Sequence, residues 1–205
     1  MRKMRSLCGM LLLAVLLAAQ SAWAEVDPWA ESYRLEALGQ FDAAAKALEP
    51  VIRANAQHEF AFLRRGWLNY LRGDHNASLE DYRKALEINR HSLEARLGVI
   101  LPLLAQQRWR EAASEANKVL EVAPWNYYAH VRLMIAEEGE RQWDILAKHA
   151  AQVAQHYPSD ATVLVYLARA NIWLGNNSAA RRAYEQVLER VPGHIEALQY
   201  LAVKL

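Results

Sequence analysis

The sequence is poor in cysteine, and its one cysteine, Cys8, lies within the first 24 residues. Residues 25 to 205 therefore have no disulfide and no thiolate that could bind a metal or attack a substrate. This part of the chain also lacks a glycine-rich phosphate loop, a strand-to-helix serine motif and any metal-binding spacing. We therefore expect no catalytic residue, no metal and no cofactor.

An excess of charge of one sign is missing as well. The chain has 24 basic and 23 acidic residues. Three of the basic residues, Arg2, Lys3 and Arg5, precede residue 25, so the remainder carries 21 basic and all 23 acidic residues. Binding to nucleic acid or to an anionic membrane surface depends on clustered lysine and arginine. We therefore expect neither as a partner.

The first 24 residues have the three parts of a secretory signal peptide. The basic residues are followed by the apolar run from Gly9 to Ala19 and then by Ala22-Trp23-Ala24, a small-x-small cleavage sequence. A membrane anchor is the competing interpretation, but the run is well short of the roughly 20 residues that a spanning helix needs. We predict cleavage after Ala24, a periplasmic or secreted protein, and no membrane span after cleavage.

Residues 161 to 194 have the pattern of two amphipathic helices joined by a short turn. The apolar positions recur at helical spacing on both sides of Gly175-Asn176-Asn177, and Pro192 ends the second segment. A small residue at Ala168, the turn glycine Gly175, and then Ala180, Tyr184 and Pro192 complete the pattern. This unit resembles the tetratricopeptide repeat, a helical hairpin of about 34 residues.

The resemblance continues towards the N-terminus in steps of one repeat. The turn position is occupied in order by Gly39, Gly73, Gln107, Arg141 and Gly175. The units cover residues 25–58, 59–92, 93–126, 127–160 and 161–194, and residues 195–205 begin a further helix that would cap the last hairpin. The resemblance implies an all-α fold, a right-handed α-solenoid of five 34-residue helical hairpins with a C-terminal capping helix.

Two prolines fall inside expected helices. Pro50 lies in the second helix of the first unit, where proline removes a backbone hydrogen bond and crowds the preceding turn. We predict a kink between Lys46 and Pro50, or an early end of the helix. Pro102 lies in the first helix of the third unit, four residues after Gly98, and a glycine there leaves room for a kink.

The apolar stripe of the first helix falls one position later than in the family in three consecutive units. In the second unit it consists of Leu63, Gly66, Trp67 and Tyr70. Either the turn is tighter and these residues form the core, or they line the inner surface of the solenoid. The sequence is compatible with both interpretations. The repeat frame favours the inner surface for Trp67 and Tyr70.

The resemblance also implies a binding module whose first helices line a concave groove. The partner-binding residues that we predict on this basis are Tyr33, Phe60, Leu63, Trp67, Tyr70, Leu101, Tyr128, Arg132, Arg169 and Trp173. This surface is apolar and aromatic, so an extended apolar peptide or a partner helix fits it. We expect an exported scaffold or adaptor that binds a protein or peptide partner in a bacterial envelope secretion or assembly system.

Two other functions are alternatives to a scaffold. Self-assembly as a structural subunit, as a homo-oligomer, would use the unpaired helix at 195–205. A small hydrolase would use Glu137, Glu138 and Glu140, although adjacent carboxylates on a helix usually form a solvated face. The seven histidines are scattered along the sequence, and we expect them at the surface.

Overall fold

The computed structural model describes residues 27 to 203. The expected signal peptide with its cleavage site after Ala24, and the last two residues of the capping helix, lie outside this range. Every regular element within it is an α-helix. The helices are α1 (Pro28–Ala37), α2 (Phe41–Lys46), α3 (Glu49–Ala54), α4 (Glu59–Leu71), α5 (His75–Ile88), α6 (Leu93–Ala105), α7 (Trp109–Val122), α8 (Tyr127–Gly139), α9 (Trp143–His156), α10 (Ala161–Trp173), α11 (Asn177–Arg190) and α12 (Ile195–Val203).

The helices repeat with the period that the sequence predicts. Helices α4, α6, α8, α10 and α12 begin 34 residues apart, and each of the first four is followed by a partner helix of 14 residues. Helix α1 packs against α2, consecutive helices from α3 onwards pack against each other, and α4, α6, α8 and α10 also pack side by side. The fold is therefore an α-solenoid whose first helices form one continuous layer. Between residues 27 and 203, no helix is both long enough and apolar enough to cross a membrane.

The five turn positions of the repeat frame all have the left-handed backbone conformation. The φ angles are 72° at Gly39, 84° at Gly73, 56° at Gln107, 58° at Arg141 and 75° at Gly175. Glycine adopts this conformation without cost, whereas a residue with a Cβ atom pays about 1–2 kcal/mol. The third and fourth hairpins therefore carry backbone strain at Gln107 and Arg141.

Side-chain caps fix where several helices begin. In α5, α6, α8 and α10 the residue before the helix accepts a hydrogen bond from a backbone N–H in the first turn; these caps are Asp74, Ser92, Asn126 and Asp160. Each cap satisfies one of the donors that a helix start leaves without a partner. The starts of these four helices are thus encoded locally.

The two prolines affect their helices differently: the helix is interrupted at Pro50 but continues through Pro102. The second helix of the first hairpin is interrupted between Lys46 and Glu49, as Pro50 predicts, and Pro50 lies in the first turn of α3, where its missing N–H removes no helical bond. Helix α6, in contrast, continues through Pro102 to Ala105. The space at Gly98 is occupied by the ring of Tyr82 from the preceding hairpin, so this glycine serves packing between hairpins.

Candidate functional site

The inner layer of helices contains an open cavity of about 330 Å³. Helices α1, α4, α6 and α8 contribute to its walls, and Tyr82 of α5 also reaches it. The residues from the predicted partner-binding set that line it are Tyr33, Phe60, Leu63, Trp67, Leu101 and Arg132, and the other lining residues are Arg64, Tyr82, Glu94, Leu97 and Gly98. We call this cavity the inner groove.

The displaced stripe of α4 divides between the core and the inner groove. Leu63 and Gly66 are buried, and a Cβ atom at Gly66 would lie 3.2 Å from the ring of Tyr82. Trp67 is 36% exposed, and its ring stacks on that of Tyr70 with 5.8 Å between centroids. The two interpretations of the stripe therefore hold for different residues, and Leu63 belongs to both the core and the groove lining.

A network of polar contacts holds the aromatic wall of the groove in place. The Nε1 of Trp67 donates to Oε1 of Glu36 at 2.8 Å, and Oε2 of Glu36 pairs with Nη1 of Arg64 at 2.6 Å. The guanidinium of Arg64 lies over the ring of Tyr33, 3.9 Å from its centroid. Because α1 supplies Tyr33 and Glu36 while α4 supplies Arg64 and Trp67, this network also joins the first two hairpins.

Arg132 projects from α8 towards the opposite end of the groove. Its Nη1 donates to the backbone carbonyl oxygen of Leu97 at 2.6 Å, and its guanidinium lies 5.8 Å from the ring centroid of Tyr128. Burial lowers the pKa of Arg132, and the groups that act in the opposite direction are the phenols of Tyr82, Tyr70 and Tyr128. The groove therefore contains a cation in a largely apolar setting.

The four remaining predicted residues, Tyr70, Tyr128, Arg169 and Trp173, lie on the same row of first helices but outside the cavity lining. Tyr128 is exposed beside Arg132. Trp173 is 65% exposed and stacks on Trp143 with 5.1 Å between nearly parallel rings. These two residues extend the exposed aromatic surface beyond the cavity towards the C-terminal hairpins.

The guanidinium of Arg169 is occupied within the protein. It donates from Nε and Nη2 to the carboxylate of Glu196 at 2.8 and 2.7 Å, and it faces Glu138 at 3.4 Å. The hydroxyl of Tyr184 donates to the same carboxylate of Glu196 at 2.5 Å. The hydrogen bonds from Arg169 lower the pKa of Glu196. Arg169 therefore connects α10 to the terminal helix α12, and this role was not apparent from the sequence.

The three carboxylates of the hydrolase alternative do not converge on one site. Each has a different partner: Glu137 contacts His149, Glu138 contacts Arg169, and Glu140 contacts Arg110. No group of three or more histidine, cysteine, aspartate or glutamate side chains in residues 27–203 is arranged to hold a metal ion.

A chain of hydrogen bonds in the fourth hairpin contains two histidines that the sequence places far apart. Nε2 of His130 lies 2.9 Å from the carbonyl oxygen of Pro124, Nδ1 of His130 lies 2.9 Å from Nε2 of His149, and Nδ1 of His149 lies 2.9 Å from Oε2 of Glu137. The side chains of His130, His149 and Glu137 are all largely buried. The expectation of scattered surface histidines is wrong for these two residues.

The repeat frame contains a signal that could have found this contact. One repeat earlier, the positions equivalent to His130 and His149 are Arg96 and Glu115, and these two form an ion pair at 2.9 Å. In both hairpins, these two positions, 19 residues apart, therefore face each other between the two helices of one hairpin. An opposite-charge pair in one hairpin thus indicates a polar contact in the next.

The protons in this hydrogen-bonded chain can be counted. A carbonyl oxygen only accepts, so Nε2 of His130 must donate to Pro124. Each of the three links needs one hydrogen, and two neutral imidazoles supply two. The third hydrogen makes His149 a cation beside the carboxylate of Glu137, or resides on that carboxyl group. Burial, the largest cause, lowers the pKa of His130, which favours the neutral ring at this position.

Comparisons with known proteins agree with this fold. The tetratricopeptide repeat family matches residues 61–92 and residues 162–194. No curated protein sequence matches the chain. A solved structure of MamA from Desulfovibrio magneticus is 18% identical, with 80% of this chain and 93% of that chain covered and a TM-score of 0.73.

Two further solved structures are similar over most of the chain. YrrB, described as a TPR protein with an unusual peptide-binding site, is 14% identical, with 93% of this chain and 97% of that one covered and a TM-score of 0.70. A thermophilic TPR protein from Thermus thermophilus is 19% identical, with 87% and 98% covered and a TM-score of 0.64. At these identities the likeness concerns the fold alone.

Proposed function

We propose that this chain, two repeats of which match the tetratricopeptide repeat family, is a binding protein without catalytic activity that holds a segment of a partner protein in the inner groove. The observation that carries this proposal is the exposure of Tyr33, Phe60 and Trp67 around one concave cavity. Aromatic side chains that remain exposed at a concave surface are typical anchors of a protein interface.

The shape of the inner groove favours a peptide segment as the ligand. Its volume of about 330 Å³ has room for a few side chains. The cavity shares Phe60, Leu63 and Glu94 with a second depression that extends to Asn55. A partner chain that inserts side chains into the groove can therefore continue along the surface beyond it. YrrB, which has the same fold and an unusual peptide-binding site, supports this proposal by analogy.

The groove assignment is tested by affinity capture from an envelope extract, with mass spectrometry of the retained proteins. The wild-type chain is compared with Trp67→Ala and with Val122→Ala, which removes an exposed apolar side chain at the end of α7. We expect the same partner to be retained by wild type and Val122→Ala and to be lost with Trp67→Ala. Equal retention by all three would contradict the groove assignment.

We further propose that the protein is an exported scaffold or adaptor of the bacterial envelope, in a secretion or assembly system. This proposal is supported by the sequence of residues 1–24, with its basic start, apolar run and Ala22-Trp23-Ala24. N-terminal sequencing of protein from the periplasmic fraction should begin at Glu25. Intact Met1 in the membrane fraction would contradict export with cleavage.

Self-assembly remains a second candidate because α12 presents apolar side chains to solvent. Ile195 is 70% exposed, and Leu198 and Val203 are exposed as well. Light scattering at increasing protein concentration tests this candidate. A mass that rises with concentration in wild type, but stays at the monomer value in Ile195→Asp, would support it.

A further inference from the structure

The inner groove contains an arginine, Arg132, that has no carboxylate within 4 Å among residues 27–203, although Glu94 lines the same cavity. The other arginines of residues 27–203 that are at least partly buried each have a carboxylate within 4 Å; they are Arg64, Arg65, Arg96, Arg108, Arg169, Arg181 and Arg190. Arg132 is partly buried too, yet it forms no ion pair with any residue of that range. Its one hydrogen bond is to the carbonyl oxygen of Leu97.

Most N–H donors of the Arg132 guanidinium have no partner among the described residues. No nitrogen atom of Arg132 is among the buried atoms without a hydrogen bond, so these donors are open to the groove. The guanidinium is nevertheless partly buried, and a charge that is partly removed from water without a counter-ion is costly. The phenols that face it belong to Tyr70, Tyr82 and Tyr128, and no carboxylate is among the groups that act on its pKa. A ligand carboxylate at this place would supply both the missing acceptors and the missing charge.

We propose that Arg132 binds the carboxylate of an acidic side chain in the partner segment, with apolar or aromatic side chains on both sides of that acid. This inference rests on the proposed binding function of the inner groove. It replaces the expectation of a purely apolar ligand with a more specific one, a peptide that carries one aspartate or glutamate within an apolar stretch.

The surroundings of Arg132 favour a side-chain carboxylate over the carboxylate at the end of a chain. Phe60 and Trp67 line the groove together with Arg132, and the exposed ring of Tyr128, one turn earlier on α8, lies beside Arg132 but outside the cavity lining. Apolar contact surface both inside and outside the cavity means that the partner chain continues past its acid in both directions. A chain that ended at Arg132 would leave one of these surfaces uncovered.

The first experiment uses the free protein and needs no ligand. The variant Arg132→Gln keeps a donor for the carbonyl of Leu97 but removes the charge, and Arg96→Gln breaks the ion pair with Glu115. We expect the melting temperature to fall for Arg96→Gln and to stay unchanged or rise for Arg132→Gln, because the latter removes a partly desolvated charge that has no ion pair. An equal fall in both variants would mean that Arg132 serves the fold, and would overturn the inference.

The second experiment selects ligands from a display library of short random peptides with flexible linkers at both ends, on the full-length chain. We expect peptides selected on wild type to contain an acidic residue between apolar ones. Replacement of that acid by its amide should weaken binding by about tenfold or more, the value of one charge-assisted pair. The same replacement should have no effect on binding to Arg132→Gln.

Trp67→Ala separates failure of this inference from failure of the proposed function. Peptides that bind wild type, are lost with Trp67→Ala and show no dependence on an acid would leave the groove function in place and overturn the role of Arg132. Peptides that bind only with a free C-terminal carboxylate would also overturn it. A selection without any binder that depends on Trp67 would contradict both proposals.

Discussion

The ring of Tyr82 occupies the space that the absence of a side chain at Gly98 leaves open. A Cβ atom at Gly98 would lie 2.2 Å from Cε1 of Tyr82, far inside any normal contact. Tyr82 belongs to α5 and Gly98 to α6, so this contact joins the second hairpin to the third. The same ring covers Gly66 of its own hairpin, and one tyrosine thereby connects three helices.

Gly98→Ala should therefore destabilise the protein. Alanine is a better helix former than glycine by about 1 kcal/mol, but the added methyl group must displace a ring that is 4% exposed and tightly packed. We expect the overpacking, towards the upper end of about 1–3 kcal/mol, to exceed the propensity gain, with a net loss of about 1–2 kcal/mol in the free energy of unfolding. Urea denaturation of the purified variant measures this loss.

Gly193→Ala is the matched control for that substitution. No atom lies within 4 Å of a Cβ built at Gly193, so the change should leave stability within about 0.5 kcal/mol. Similar losses in both glycine variants would mean that the contact with Tyr82 is not the cause.

Truncation to alanine should have different effects at Trp67 and at its neighbour Leu68: the first should weaken partner binding, and the second should lower stability. Trp67 is 36% exposed in the groove, whereas Leu68 is fully buried. We expect Trp67→Ala to change stability by less than about 1 kcal/mol and to weaken partner binding by about 2 kcal/mol or more. Leu68→Ala should lower stability by about 2–5 kcal/mol. A large stability loss in Trp67→Ala would assign the indole to the core.

Glycine substitutions at the two non-glycine residues with a left-handed backbone should stabilise the protein. Gln107 and Arg141 have φ angles of 56° and 58°, at the position that glycine fills in the other three turns. Gln107→Gly and Arg141→Gly should each raise stability by up to about 1 kcal/mol, because relief of the strain exceeds the entropy that glycine adds to the unfolded chain. Gly175→Ala should lower stability. Thermal unfolding followed by circular dichroism compares the three.

The chain of hydrogen bonds through His130 predicts a pH dependence of stability. Burial lowers the pKa of His130 in the folded protein, while an unfolded histidine titrates at about 6.5. Below that pH the unfolded chain binds more protons than the folded one, so the free energy of unfolding falls as the pH decreases. The contribution of His130 is fully present above about pH 6.5 and is lost as the pH falls towards the folded pKa.

Denaturation at a series of pH values in two variants isolates this contribution. His130→Gln removes the titrating ring and should show a shallower loss of stability than wild type between neutral and mildly acidic pH. His91→Gln changes an exposed histidine and should follow the wild-type curve. If His130→Gln has the same slope as wild type, other groups cause the dependence.

Deletion of residues 161–205 should shorten the array without unfolding it. Each hairpin packs mainly on its neighbours, so α4 to α9 retain their contacts with one another after the deletion. The helical circular dichroism per residue should remain close to that of the full chain, with a lower melting temperature from the newly exposed apolar face of the fourth hairpin. Complete loss of the helical signal would contradict a repeat architecture.

The repeat period was sufficient to predict the helices because it combines local signals that occur several times. The turn positions from Gly39 to Gly175 and the interruption at Pro50 follow from backbone chemistry that acts within a few residues. The same frame placed Trp67 on the inner surface, since helix geometry fixes the direction in which each position points.

Contacts between hairpins could not be predicted in the same way. A long side chain meets residues about 20 to 35 positions away, and which partner it meets depends on rotamers and on the spacing of neighbouring helices. Glu36 of the first hairpin, which holds both Arg64 and Trp67, is one example. The hydrogen bond from Arg132 to the carbonyl oxygen of Leu97 is another. The lack of an ion pair at Arg132 becomes visible only when every neighbour is in place.

The polar cluster around Glu196 determines how the solenoid responds to a mechanical load. Helix α12 buries only Ala197 completely, and its carboxylate at Glu196 is held by Arg169 and Tyr184. A pulling force on the C-terminus acts first on Tyr200 and Leu201, which pack on the last hairpin, and then on the charge-assisted contacts of Glu196, which added salt weakens. Only after these does the force reach the buried side chains of α10 and α11. Under tension the terminal helix should detach as a separate first step, at a force that decreases with ionic strength.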